Sequence, residues 1–468
     1  MLTVIVFFVF CGRFGDVIID SYRELYIPQQ IIEGGVLYQN IFMIYPPLSY
    51  LINSLLIKVF GNAQLILNFA GLFFTLGIIY FTHKIAQKFI DKNFCLGINL
   101  FIISGLVLSP NVFNAFFPYS YGILYGILFV LISINFALNK KYTLMYLFYS
   151  LAVLCKYEFI LLLPLLIYQS KFLNWKKNLL VFLLPVIFTM SVLFIQGLRF
   201  DDIKISLNLV GIMSSSKTLY WFYSVMGLTF RFEHLPIYLT NIVKFLFPIN
   251  WTKYQEVLIW VYPVVALAFV LRFKNFNYIE KFFILASLLV SLKVFFALTL
   301  QSYGVYFLPF ALISLFIVIP QNYRKILFTL LILWSFIIGF FNINVLINKK
   351  VELNPVVEYV KSHTDVNDKV LVYPECLAIN VFSGRKSDNK FYSLIPLYVE
   401  TLGEELIIKR FELTQPKYII INNYDTSAYY FREFGRDYAQ DVFKWIEKNY
   451  TLKATINDTW IFKVYELN

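Results

Sequence analysis

Apolar runs long enough to cross a bilayer, separated by short polar stretches, dominate the chain up to about residue 348. Leu179–Gly197 and Ile326–Ile347 are nearly free of charge, and a hydrocarbon core of ~30 Å needs about 20 such residues. At that depth the backbone must satisfy its own hydrogen bonds, so the runs predict helices. The period-two alternation of a membrane β-barrel is absent. Spanning helices are expected at about 1–12, 64–81, 94–109, 121–138, 179–197, 255–271, 282–300, 307–320 and 326–347. Pro46–Phe60 is apolar but bounded by Pro-Pro and Gly61, and reads as an interfacial segment. The long aromatic stretch Leu198–Tyr254 reads as further interfacial helices.

Tyr142–Gln169 breaks the pattern, because Lys156 and Glu158 interrupt an otherwise apolar run. Lys140 and Lys141 precede it, and Lys171, Lys176 and Lys177 follow it. A single crossing would put one of these basic clusters outside. A hairpin of two short helices, with Lys156–Glu158 at the far turn, keeps both on one side. The fold class expected is therefore a polytopic α-helical membrane protein of about 10–12 membrane helices, short or re-entrant ones included.

Beyond residue 348 the pattern changes to the mixture of an α/β module. Lys369–Tyr373, Lys417–Asn422 and Thr459–Tyr465 read as strands. Asn354–Ser362, Leu402–Leu413 and Asp437–Lys448 read as amphipathic helices. The expected division is a transmembrane domain over 1–348, with an outer loop at 13–60, and an extracytoplasmic α/β domain over 349–468.

Composition sharpens this. The chain is 59% hydrophobic and 20% aromatic, with mean hydropathy +0.68. Its net charge of +12 is explained by basic clusters between apolar runs, and nucleic acid is not an expected partner. The connections at 84–92, 140–141, 171–177, 272–281 and 324–325 hold thirteen Lys/Arg against two acids, Asp91 and Glu280. That asymmetry assigns them to the cytoplasm and the 13–60 loop and tail to the outside of the plasma (inner) membrane. Met1–Cys11 lacks a basic n-region and a small-residue cleavage site, so it reads as a short first helix rather than a signal peptide. Cys11, Cys95, Cys155 and Cys376 suggest no disulfide framework, and His83, His234 and His363 lie too far apart for metal-ligand spacing. No internal repeat and no glycine-rich phosphate loop is present. Three Asn-X-Thr triplets, at Asn250, Asn449 and Asn457, read as chance matches.

Chemistry concentrates in the first outer loop, GDVIIDSYRELYIPQQIIEGGVLYQNIFMIYPPLSYLINSLLIKVFG. Asp16 and Asp20 are acids placed soon after a membrane helix, where a lipid-linked head group would lie, and Arg23 and Glu24 follow within a helical turn. Lys156, Glu158 and Lys293 are charges within apolar segments. Such charges cost about 2.5–3.5 kcal/mol at mid-helix and so invite a functional reading. Each has a plainer reading too: Asp20 as a helix cap, Arg23 and Glu24 as a mutual pair, Lys156 and Glu158 as a structural pair, Lys293 as a snorkelling lysine. Tyr119 and Tyr303, in outer turns, are each explained alone by an aromatic belt. Glu375 and Arg385 in the tail are candidates for substrate contact, with a surface salt bridge as the plainer reading.

The order of these segments resembles the GT-C superfamily of membrane glycosyltransferases. The likeness is to the bacterial branch related to protein O-mannosyltransferases and lipid A aminoarabinose transferases. An Asp, then Arg-Glu, then Gly-Val-Leu-Tyr, then Tyr-Pro-Pro-Leu is similar to that branch, as are NAFFPYSYGILYG, LAVLCKYEFILLLP, SLKVFFALTLQSYGVYFLP and PECLAINVFSGRKSD. The resemblance implies transfer of a sugar from a polyprenyl-phosphate-linked donor to an acceptor hydroxyl at the outer face. It matches Asp20 to the catalytic base, with Asp16 as the local rival. Arg23, Lys156, Arg231 and Lys293 are the implied cationic partners of the leaving phosphate. Glu24, Tyr119, Glu158 and Tyr303 are further substrate-binding candidates. Some members use a divalent metal and others do not, so the resemblance fixes no cofactor, and neither the sugar nor the acceptor is named. A transporter or flippase for a lipid-linked or small polar substrate is the alternative, since intramembrane charges suit either; the absence of repeated halves weighs against it.

Overall fold

The computed structural model describes residues 1–14, 20–171, 173–203, 261–296, 301–349, 355–387, 390–427, 430–457 and 460–468. The chain separates into two compact units. Among the described residues, the first holds those within 1–14, 45–191 and 261–349, and the second those within 20–44, 192–203 and 355–468.

The first unit is helical. Among the described residues, four helices are long and apolar enough to cross a membrane: Ala63–Ala86, Tyr121–Leu138, Trp175–Ile195, and the one that follows the short turn at Gln321 and ends at Asn348. Shorter apolar helical stretches accompany them, among them Leu48–Phe60, expected to lie flat at the interface. Local chemistry sets several ends. Gly61, at φ 69°, stops the Leu48–Phe60 helix, and the Asn62 side chain accepts from Leu65 N to start the next. Arg13 donates to the carbonyls of Leu346 and Ile347, placing a cation at the C-terminus of the Arg324–Asn348 helix.

Burial sorts these helices. Tyr121–Leu138 is 83% buried and packs against Tyr142–Cys155 and Ala63–Ala86, so it is the centre of the unit. The most apolar stretch of Trp175–Ile195 is only 17% buried, with Leu180, Leu184, Ile187 and Phe188 facing outward. Phe336, Ile337, Phe340 and Phe341 do the same on Arg324–Asn348. Two helices with whole faces of exposed large apolar side chains require an apolar solvent.

The interrupted segment doubles back as the lysine pattern predicts. Tyr142–Cys155 ends at Lys156, a tight 3₁₀ turn covers Tyr157–Leu162, and Leu163–Ser170 follows. The hydroxyls of Tyr146 and Ser170, near the open ends of the two arms, meet at 3.1 Å. Tyr149 Oη, one turn further in, donates to the carbonyls of Phe159 and Ile160.

The second unit carries a four-stranded mixed sheet of order β1-β2-β4-β3, with β1 Val370–Tyr373, β2 Tyr418–Asn422, β3 Tyr450–Asn457 and β4 Ile461–Leu467. β1 and β2 are parallel, with Val370 opposite Tyr418; β4 runs antiparallel to both β2 and β3. Leu371, Tyr373, Ile419, Ile421, Phe411 and Ile446 form its core. β3 was not expected, and neither were the seven-residue helices Leu377–Ser383 and Pro396–Leu402. Part of the 13–60 loop packs into this unit. The Asp20–Ile32 helix lies against Leu377–Ser383, with the Tyr22 and Phe382 rings 4.7 Å apart. Ser387 N donates to Tyr26 Oη at 3.0 Å, Lys386 pairs with Glu33 at 2.9 Å, and Tyr392 Oη meets Met43 Sδ at 3.2 Å.

Candidate functional site

Four of the residues singled out from sequence come from three distant stretches and meet in the first unit. Lys156 sits at the break after Cys155, where its extended backbone ends one helix and begins the turn. Its side chain is buried. The ammonium lies 4.9 Å from the ring centroid of Tyr45, 5.7 Å from Tyr119 and 5.8 Å from Tyr303. A cation within about 6 Å of an aromatic centroid is attracted by the ring quadrupole, by ~2 kcal/mol or more when desolvated. The Tyr45 and Tyr119 hydroxyls are 3.3 Å apart, and Tyr303 Oη donates to Glu158 Oε1 at 2.8 Å. The Tyr119 and Tyr303 rings meet edge-on at 6.1 Å. These tyrosines turn toward a charged turn inside the unit, whereas a belt residue would present its ring to the interface.

Two glycines allow the turn to come this close. A Cβ on Gly122 would stand 2.7 Å from the Cys155 carbonyl oxygen, and one on Gly126 would meet the ring of Phe159. The two are one helical turn apart on the central helix, so GILYG presents a flat strip to residues 155–159. Nearby, Tyr125 Oη donates to Asn53 Oδ1 at 2.6 Å and its ring stacks on Phe74.

In the second unit, Asp20 is the first residue of its helix and Arg23 and Glu24 lie one turn on. Arg23 Nε is 3.7 Å from Glu24 Oε1, and the side chains are 6% and 0% exposed. The pairing expected as the plain reading is present, but in the interior. Glu375 and Arg385 correct the expectation of surface ion pairs. Glu375 is buried, and Arg385 donates to the carbonyls of Ser383 and Thr364 and to Thr364 Oγ1, tying the helix ends at 363 and 383 together. Asp16 and Arg231 lie outside the described residues, as do the side chains of Asp20 and Lys293; Lys293 falls within the Tyr278–Phe296 helix. Among the described residues, no three His, Cys, Asp or Glu side chains gather as a metal-ligand set.

Sequence reasoning did not select Tyr45, Gly122 or Gly126 as site residues. Tyr45 stands immediately before Pro46-Pro47, and both glycines stand in the quoted NAFFPYSYGILYG, so the signal was motif position rather than residue type.

No protein-family model matches the sequence, and no curated protein matches it. Solved structures do. The chain is similar to ArnT from Cupriavidus metallidurans bound to undecaprenyl phosphate, at 10% identity and TM-score 0.50, covering 99% of this chain and 96% of that one. It is similar to the oligosaccharyltransferase AglB from Archaeoglobus fulgidus in complex with an inhibitory peptide and a dolichol-phosphate, at 10% identity and TM-score 0.52, covering 96% and 70%. The chain is thus a helical membrane protein with the fold of GT-C glycosyltransferases. At this identity the likeness is one of architecture, and it extends over nearly the whole chain.

Proposed function

We propose that this protein transfers a sugar from a polyprenyl-phosphate-linked donor to an acceptor hydroxyl at the extracytoplasmic face of the membrane. The observation that carries the reading is the convergence of Tyr45, Tyr119 and Tyr303 on the buried Lys156 ammonium. The polyprenyl phosphates bound in the ArnT and AglB structures supply the chemical class of donor. As the acceptor oxygen bonds to the anomeric carbon, the bond from that carbon to the donor phosphate breaks and its electron pair leaves with the phosphate. Negative charge grows there, and a preorganised cation lowers the barrier. Lys156 supplies it, held in place by three rings. The hydroxyl proton passes to Asp20, whose carboxylate becomes a competent base if desolvation raises it from its ordinary value of ~3.9. Inversion at the anomeric carbon follows from a single displacement.

The test is transfer from a panel of radiolabelled polyprenyl-linked sugars by the purified full chain, comparing the wild type with Asp20→Asn. Wild-type transfer, with the variant folded and at least roughly a hundredfold slower, supports both the activity and the base. Full activity in the variant removes Asp20 from the role. If the wild type transfers nothing from any donor but moves a substrate across liposomes, the transporter reading replaces this one.

A further inference from the structure

At the end of the hairpin opposite Lys156, a cavity of about 960 Å³ opens among the helix ends. Lys140, Lys141 and Lys171 line it, and among the described residues no carboxylate does. Three positive side chains around one concavity select for an anion. The backbone holds two of them there by design of the turns: Lys140 at φ 58° and Lys171 at φ 50° are left-handed residues ending the Tyr121–Leu138 and Leu163–Ser170 helices. Asn178, itself buried, braces the rim by accepting from Thr143 Oγ1 and donating to the Leu173 carbonyl. A second observation points to what else the ligand carries. Gln169 lines the same cavity and is 6% exposed, yet its Oε1 has no hydrogen-bond partner. An acceptor buried without a donor is costly, and an anion alone leaves it unsatisfied. A ligand bearing both a phosphate and a hydroxyl satisfies lysines and glutamine together.

The remaining walls choose the source. Leu144, Leu173 and Ile279 line the cavity with exposed apolar surface, next to the outward-facing Trp175–Ile195 helix. Acyl chains would lie against that surface. We propose that this cavity is a site for the headgroup of an anionic phospholipid, a phosphodiester carrying hydroxyl groups such as phosphatidylglycerol. Basic pockets between helix ends are suited to such headgroups.

The experiment counts lipids bound to the purified full chain in neutral detergent by native mass spectrometry. The probes are dioleoylphosphatidylglycerol, dioleoylphosphatidylcholine and dioleoylphosphatidylmethanol, which keeps the charge and lacks the hydroxyls. Phosphatidylglycerol is expected to bind roughly tenfold more tightly than phosphatidylcholine. The double variant Lys140→Gln/Lys171→Gln should lose that margin, while Lys176→Gln/Lys177→Gln, equal in charge removed but away from the cavity lining, should keep it to within about threefold. Gln169→Met should erase the preference for phosphatidylglycerol over phosphatidylmethanol. Equal binding of glycerol and choline lipids overturns the proposal. So does equal weakening by the two lysine pairs, which would reduce it to general surface charge. Competition by soluble glycerol 1-phosphate at equimolar concentration would also overturn it, since the site would then serve a soluble phosphate ester.

Discussion

Tyr303 donates its hydroxyl to Glu158 across 2.8 Å, although 145 residues separate them in the chain. This bond fastens the turn after Lys156 to the short helix at Gln301–Phe307. Tyr303→Phe keeps the ring that flanks the ammonium and removes the donor to the carboxylate. A hydrogen bond to a charged group is worth about 1.5–3 kcal/mol. The variant is therefore expected to unfold at lower temperature and to transfer sugar roughly ten- to hundredfold more slowly, with donor KM rising. Thermal unfolding and initial rates on the same preparation check both.

Gly122→Ala is expected to impair function without touching any ligand. Its new Cβ would press on the carbonyl of Cys155, the residue before Lys156, at 2.7 Å. Overpacking of a close helix contact costs about 1–3 kcal/mol, and the backbone that sets the ammonium must give way. Activity should fall by more than the loss of folded protein accounts for, as read by size-exclusion yield against specific activity. Unchanged specific activity would show that the turn tolerates the shift.

The buried pair in the second unit makes a stability prediction. Glu24→Gln leaves the guanidinium of Arg23 facing a neutral amide in an interior where both side chains are nearly inaccessible. Removing one partner of a buried ion pair costs about 3–5 kcal/mol. Limited proteolysis should then cut the variant's C-terminal section faster, because the Asp20–Ile32 helix packs within the same unit. A proteolysis rate equal to the wild type's would contradict this.

Acid should weaken the second unit through Asp368 and Glu466. The Lys417 hydrogen bond, with help from the Asp365 amide, holds the Asp368 carboxyl below its usual range; the Tyr418 phenol, and then Lys453, do the same for Glu466. Because both folded values lie below the unfolded ones of about 3.9 and 4.3, their stabilisation is present above that range. It is lost as pH falls through the lower folded values. The Lys417 ammonium is held above its usual range by Asp368, so its own share persists up to about pH 10.4 and fades only above that. Lys417→Met should flatten the acid side of a plot of unfolding temperature against pH between about 5 and 3.

The hairpin was legible in the sequence because charge marks it. Lysines flank both ends and Lys156 interrupts the middle, and only a chain that doubles back reconciles these positions. β1 and β2 were legible as short apolar runs whose residues are all buried. β3 was not, because seven of its eight side chains are exposed or only partly buried, with Thr451, Lys453, Thr455 and Asn457 among them; its partner β4 makes it a strand. The short helices at 377–383 and 396–402 are held by packing and carry too few turns to show a period. At the candidate site, the charged residues announced themselves by being charged among apolar neighbours. The tyrosines did not. A lone aromatic in a loop has no direction, and the partners of Tyr45 lie 74 residues away at Tyr119 and farther still at Lys156 and Tyr303.

The two arms of the hairpin are short. Tyr142–Cys155 has 14 residues, a rise of about 21 Å, where a hydrocarbon core of ~30 Å would have to be spanned. With its lysine-bearing end anchored at one interface, the tip at Lys156 stops short of the opposite one. A bilayer meeting the hairpin there would thin or yield to water, at a fraction of a kcal/mol per ångström of mismatch. On the proposed function, a polyprenyl-linked donor approaching sideways would meet a dimple there, its phosphate sinking toward the buried Lys156 ammonium.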